Sequence, residues 1–145
     1  MNLKEKEVIL DEIYVEQPNL LGSVVVLNQI GNTLEQIEVL LNILLIAHLA
    51  LKESGIKLAK VTEGEQEREL SKFMGHVKFT EGLSSSSELT AMRQYIESHE
   101  EKILLAYVHK EMLESGFHDL KYENSKYLIM AGFNIVNCIS AAKIA

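Results

Sequence analysis

The positions of the turn-forming residues constrain the fold of this chain most strongly. One proline and eight glycines occur among 145 residues, which is roughly half the combined share usual for a globular protein. So few turn formers favour long helices over a fold of many short strands. Pro18, Gly31, Gly55, Gly82 and Gly116 each stand where a stretch of helical hydrophobic spacing stops. These positions predict an all-α fold.

The stretches between these residues combine helical apolar spacing with polar caps. Residues 3–16 and 19–30 are predicted to form two helices, and a longer helix follows near residues 33–54. Thr62-Glu63-Gly64-Glu65 matches a capping box, in which the Thr and Glu side chains accept backbone N–H bonds at a helix start. Counting the later helices, the last of which is predicted at about 122–143, the sequence predicts an irregular bundle of six or seven helices and no clear strand.

Length and charge exclude several classes of protein. A chain of 145 residues fits a single all-helical domain, 1–145. It can bury enough surface to need no disulfide or metal for stability. With 14 Lys+Arg against 21 Asp+Glu the net charge is −7, which disfavours non-specific binding to nucleic acid. We therefore expect no nucleic-acid partner.

The helix near residues 33–54 is apolar around its whole circumference in its second half. At 100° per residue, a polar stripe that includes Asn42 gives way to apolar side chains between Ile43 and Leu51. A helix that is apolar on all sides is typically buried on all sides. This segment is therefore predicted to be the central helix of the bundle or part of a subunit interface.

The sequence predicts neither membrane insertion nor export. The most apolar stretch, 39–51, has thirteen residues, fewer than the roughly 20 that a membrane span needs. The charged start, Met1–Glu7, lacks the apolar core of a secretory signal. The single cysteine, Cys138, cannot form an internal disulfide and suits a reducing compartment. We expect a cytoplasmic protein with no membrane partner.

Three polar or reactive side chains interrupt the last apolar helix. Asn134 and Asn137 lie opposite its apolar face, between Leu128 and Ile139, and are expected to be exposed or at a helix contact. Cys138 lies on the apolar face, where a cysteine behaves as a small hydrophobe rather than a nucleophile. None of the three predicts a catalytic role.

No catalytic or cofactor motif is present in the sequence. None of the five histidines follows a Glu or Asp at a distance of three residues, and His-x-x-x-His does not occur, although metal-binding bundles commonly use such local pairs. Ligands that meet only in space remain possible. The sequence also lacks Gly-x-Ser-x-Gly, Gly-x-Gly-x-x-Gly and Walker-type loops. We predict no metal, no cofactor and no catalytic residues, which disfavours an enzyme.

His48 and His109 are the candidate ligand-binding residues. Each falls in the middle of an apolar helix face, so both are expected to be largely buried and neutral. The favoured interpretation is a core histidine satisfied by a hydrogen bond; the other is that both rings face one cavity. The two segments, 48–56 and 109–117, also share His, Glu, Ser and Gly. This sequence similarity indicates either a duplicated hairpin or two similar helix ends.

These observations support two hypotheses of function. The first is a non-enzymatic protein–protein interaction module, most simply a homodimer that uses the 34–51 helix or the C-terminal helix. Its basis is the all-round apolar segment together with the lack of a catalytic pattern. The alternative is a helical bundle that binds a small molecule or a metal in a cavity near His48 and His109.

Overall fold

The computed structural model describes residues 2–80, 85–116 and 123–144. Within these ranges the chain forms seven α-helices and no β-strand, which confirms the predicted all-α bundle. The helices are α1 Leu3–Glu16, α2 Pro18–Val25, α3 Leu34–Glu53, α4 Glu63–Thr80, α5 Ser85–Ser98, α6 Lys102–Glu114 and α7 Glu123–Ala141, with a 3-10 helix at Val26–Ile30 after α2.

Side-chain caps fix where several helices begin. Thr33 caps α3 with a complete capping box, in which Thr33 Oγ1 accepts from the Gln36 N–H and Gln36 Oε1 accepts from the Thr33 N–H. The predicted box at the start of α4 is also present, because the Glu65 N–H donates to Thr62 Oγ1 over 3.1 Å. Each box satisfies backbone donors that a helix start would otherwise leave unpaired.

The similar ends of α3 and α6 have a local cause. Gly55 follows α3 with φ +73° and Gly116 follows α6 with φ +76°, a left-handed conformation that favours glycine. After α3 the Gly55 and Ile56 N–H groups donate to carbonyls of the last turn. The Ser-Gly sequence that the segments 48–56 and 109–117 share is therefore explained by two equivalent helix ends. The last position of the second copy, 117, lies outside the described residues.

The helix predicted at 19–30 is divided into two pieces. Pro18 is the first residue of α2. A residue at this position makes no N–H bond within the helix, so the N–H that proline lacks is not needed there. The α-helix ends at Val25 and the chain continues as a 3-10 helix. The break falls in the run 24–26, three valines whose branched side chains crowd the preceding turn of an α-helix.

Helix α3 lies at the centre of the bundle, in contact with α1, α2, α6 and α7. It buries eight of its twenty residues, five of them between Ile43 and His48. The expectation of burial on all sides is wrong in detail, because Ile46 and Leu49 are half-buried and Ala50 is exposed. The polar stripe of the first half of α3 continues into the second half as an apolar face. That face stays partly exposed, because the four neighbouring helices do not surround α3 completely.

The full length of α3 also meets the length and hydropathy of a membrane span. Its 20 residues reach a mean hydropathy of 1.7 in the most apolar window, and 44% of that window is buried within the fold. The thirteen-residue apolar stretch, 39–51, underestimates the helix because residues 34–38 and 52–53 are also helical. A core helix satisfies the same criterion as a membrane span, and α3 has the contacts of a core helix.

Helix α7 shares the centre with α3. It packs against α3, α4 and α6, so it buries Phe133 and Val136 in addition to the predicted apolar face. Gly132 permits the close contact with α6, because a Cβ at that position would lie 2.9 Å from Met112 Sδ. The bundle therefore has two core helices where the sequence predicted one.

Residues 56–61 form a connection that is hydrogen-bonded from two sides, by the C-terminal residues and by Gln17. Leu58 pairs with Lys143 in an isolated antiparallel bridge, and the Ala59 N–H donates to the Ala142 carbonyl over 2.8 Å. From the other side, the buried Gln17 amide donates to the Ala59 carbonyl and accepts from the Val61 N–H. These bonds fix the connection as one wall of a cleft.

Candidate functional site

A cleft of about 620 Å³ lies between α1, α3 and the 56–60 connection. Its volume falls within the range of small-molecule sites, about 300–1,000 Å³. Its walls are partly apolar, and its ionisable lining residues are Glu12, Glu16, His48, Lys52, Lys57 and Lys60.

Two carboxylates and one imidazole meet at this cleft. Glu12 and Glu16 are one helical turn apart on α1, so they lie on the same face. From α3, His48 Nε2 approaches within 3.4 Å of Glu12 Oε1 and 3.8 Å of Glu16 Oε2. One donor atom from each residue lies within 4.8 Å of the other two. We call these three residues the α1–α3 triad.

The His48 ring is buried but incompletely bonded. The residue is 8% exposed, as predicted. Among the described residues, Nε2 makes no hydrogen bond of good geometry, although it lies 3.4 Å from Glu12 Oε1 and helps to lower the pKa of that carboxyl. Buried polar atoms are usually bonded, and a core histidine was expected to follow that rule. The unpaired nitrogen instead points to the two carboxylates.

Lys52 provides the nearest positive charge to the triad. Its Nζ lies 2.5 Å from Glu12 Oε1, one turn of α3 beyond His48. This hydrogen bond lowers the pKa of the Glu12 carboxyl, an effect that burial opposes and His48 supports. The pKa of Lys52 is correspondingly raised. The Lys52 side chain is 57% exposed, so its ammonium can leave Glu12 without breaking the core.

His109 lies in different surroundings from His48. It is half-buried, its ring centroid lies 6.2 Å from that of Phe133 on α7, and it is absent from the lining of the cleft. Burial lowers its pKa, and the positive charge of Arg93 lowers it further. The structure thus brings His48 together with α1 rather than with His109.

Sequence reasoning missed the two carboxylates of the triad. Glu12 and Glu16 show the i, i+4 spacing that places two side chains on one helix face. The Glu-x-x-His and His-x-x-x-His patterns describe only ligand pairs within one helix. The contact between α1 and α3 is tertiary, so the signal in the sequence is a carboxylate pair on one helix and a buried histidine on another.

A second polar cluster in the bundle has its hydrogen bonds satisfied. Asn137 Oδ1 accepts from the Tyr95 hydroxyl over 3.2 Å and from His99 Nε2 over 2.8 Å. The Glu101 N–H donates to His99 Nδ1, so Nε2 is the ring nitrogen that donates to Asn137. Asn137, expected to be exposed or at a helix contact, is buried at the contact between α5 and α7. These mutual bonds are typical of a structural network.

Comparison of the chain with protein-family models, with curated proteins and with solved structures finds no match. The chemistry of the site must therefore be inferred from its donor atoms. An imidazole nitrogen and two carboxylate oxygens are ligands that Zn²⁺ and related divalent metals use in proteins. Three protein ligands also leave a coordination position open, as in sites that bind a further ligand.

Proposed function

We propose that the protein is a metal-binding helical bundle that holds a divalent first-row metal ion between α1 and α3. Glu12, Glu16 and His48 are the ligands. The observation that carries this proposal is the buried His48 Nε2, which has no hydrogen-bond partner among the described residues and faces two carboxylates. A metal ion would satisfy this nitrogen and neutralise both carboxylates.

The donor set favours Zn²⁺ over the alkaline-earth ions. Mg²⁺ prefers an octahedron of oxygen ligands and keeps its waters, whereas imidazole suits Zn²⁺, Ni²⁺ and Cu²⁺. By the general order of divalent affinities, Cu²⁺ should bind more tightly than Zn²⁺, and Co²⁺ more tightly than Mn²⁺.

Small side-chain movements would complete the coordination. Ligand atoms around tetrahedral Zn²⁺ lie roughly 3.3 Å apart, given bonds of about 2.0 Å, and the triad atoms lie within 4.8 Å of one another. The Glu16 side chain is 54% exposed and can rotate toward the metal. His48 is fixed by the core, so the two carboxylates would move to it.

Isothermal titration calorimetry tests the proposal. Wild-type protein is expected to bind one equivalent of Zn²⁺, and His48→Gln or Glu12→Gln to bind it at least about tenfold more weakly. Glu7→Gln removes an exposed carboxylate of α1 outside the triad, and this control should bind Zn²⁺ like the wild type. Equal affinities for wild type and His48→Gln would refute the proposal.

A homodimer is the second candidate function. The exposed apolar surface that supports it lies on α1 rather than on α3 or α7. Helices α3 and α7 bury most of their apolar side chains within the chain's own bundle, although Leu34 at the start of α3 is exposed. Four apolar residues of α1 are instead 63–73% exposed, namely Leu3, Val8, Tyr14 and Val15. A two-fold dimer would cover the same surface on both copies. The proposal is supported if Val8→Glu/Val15→Glu dissociates a dimer in light scattering, and it fails if the wild type is monomeric at high micromolar concentration.

We also propose a non-enzymatic, cytoplasmic role without a nucleic-acid partner. The net charge of −7 supports the last point. The single buried cysteine, Cys138, is consistent with a reducing compartment. Fractionation of cells that express a tagged chain would test the localisation.

A further inference from the structure

We infer that the cleft binds a small organic acid, whose oxyanion head takes the open metal position and pairs with Lys52, and whose apolar body lies against Leu51 and Ile56. This inference rests on the proposed metal-binding function and names the ligand class of the same site. Charge, the position of Lys52 and the shape of the cleft support it.

The charge of the cleft is opposite to that of the whole chain. The chain carries a net charge of −7, but the cleft is lined by Lys52, Lys57 and Lys60 against Glu12 and Glu16. The lysines and glutamates alone, three against two, leave one positive charge at the cleft, and a divalent metal adds two more. An anion is the ligand that such a site favours electrostatically.

Lys52 is placed to change partners when the metal binds. Its ammonium shares Glu12 Oε1 with His48, which is the oxygen that the metal would take. Since α3 holds the start of the Lys52 side chain one turn from His48, the released ammonium stays near the metal. There it can pair with a negatively charged group bound at the open position.

The remaining lining of the cleft is suited to the body of an organic molecule. Leu51, Ile56, Leu58 and Ile144 supply apolar walls, and 620 Å³ is far more than one oxyanion needs. Leu58 belongs to the 56–61 connection, and Ile144 is held beside it because its N–H donates to the Lys57 carbonyl. The apolar wall is therefore preformed, which lowers the entropic cost of binding.

The test titrates Zn²⁺-loaded protein with hexanoate, acetate and sulfate by calorimetry, with the visible absorption of the Co²⁺ form as a second readout. Hexanoate is expected to bind at least about tenfold more tightly than acetate, because each buried methylene adds affinity. The Co²⁺ spectrum should change as the oxyanion enters the coordination sphere. Sulfate, which has no apolar body, should bind no more tightly than acetate.

Lys52→Met separates this inference from a general effect on folding. Loss of the ammonium should strengthen Zn²⁺ binding by about fivefold, because Glu12 is released, and weaken hexanoate binding by at least about tenfold. Two changes of opposite sign cannot result from simple damage to the site. Lys110→Met removes an exposed lysine on α6, outside the cleft, and should alter neither affinity.

The outcomes distinguish the two proposals. If the wild type binds Zn²⁺ and hexanoate neither binds more tightly than acetate nor changes the Co²⁺ spectrum, the organic-acid inference is overturned and the metal-binding function stands. If Lys52→Met retains full hexanoate affinity, the pairing with Lys52 is overturned. If the wild type binds no Zn²⁺, both the proposed function and this inference fail.

Discussion

Cys138 illustrates how burial dominates the chemistry of a residue. Its side chain lies in the core, 2% exposed, and burial raises the pKa of its thiol to about 12, with smaller contributions from Glu69 and Glu65. At pH 8 roughly one thiol in ten thousand would be ionised. Ellman's reagent is therefore expected to detect no thiol in the native protein at pH 8 and one after unfolding in urea. A rapid reaction of the native protein would contradict the burial of Cys138.

His109 is expected to link stability to pH. Burial, followed by the charge of Arg93, places its folded-state pKa below the ordinary value of 6.5. The unfolded chain thus takes up the proton first, so His109 costs no stability above pH 6.5 and lowers it as the pH falls through that value toward the folded pKa. The urea midpoint should therefore fall less between pH 7.5 and 5.5 in His109→Gln than in the wild type. Equal losses would exclude a role for His109.

Gln17 joins two elements that are distant in sequence, the turn between α1 and α2 and the 56–61 connection. Its amide donates to the Ala59 carbonyl over 2.9 Å and accepts from the buried Val61 N–H over 2.8 Å. Gln17→Ala leaves that N–H without its partner, at an expected cost of about 1–3 kcal/mol in urea unfolding. Gln29→Ala, at an exposed position, should stay within about 0.5 kcal/mol of the wild type. A similar small effect for Gln17→Ala would show that water replaces the lost bonds.

The elements differ in how well the sequence predicts them, and the reason is the range of the interactions that form them. Helix α1 begins and ends as predicted, because spacing and caps are local. The 56–61 connection shows no periodicity, since its bonds come from Gln17 and from the C-terminal residues. His48 is recognisable as a polar residue on an apolar face. Its pairing with Glu12 depends on how α1 docks against α3, and no local pattern contains that information.

At the scale of the whole molecule, the bundle combines a strongly packed half with a more weakly anchored N-terminal helix. Phe133 on α7 contacts the rings of Phe73, Tyr95 and His109, with centroids 5.2–6.3 Å apart, and so joins α4, α5 and α6. In contrast, α1 fully buries only one of its own fourteen residues, Ile13. The α1–α3 triad lies at this contact, so a bound metal would strengthen a helix that buries few of its own side chains.

This arrangement predicts that Zn²⁺ stabilises the fold through α1. At a Zn²⁺ concentration 100 times the dissociation constant, mass action adds about 2.7 kcal/mol, and amide exchange in α1 should slow more than exchange in α7. Phe133→Ala should cost about 3–5 kcal/mol yet retain the same Zn²⁺ stabilisation, because separate sites contribute additively. His48→Gln should lose that stabilisation. Thermal unfolding of the three proteins with and without Zn²⁺ measures these effects, and an equal Zn²⁺ response in His48→Gln would place the metal elsewhere than between α1 and α3.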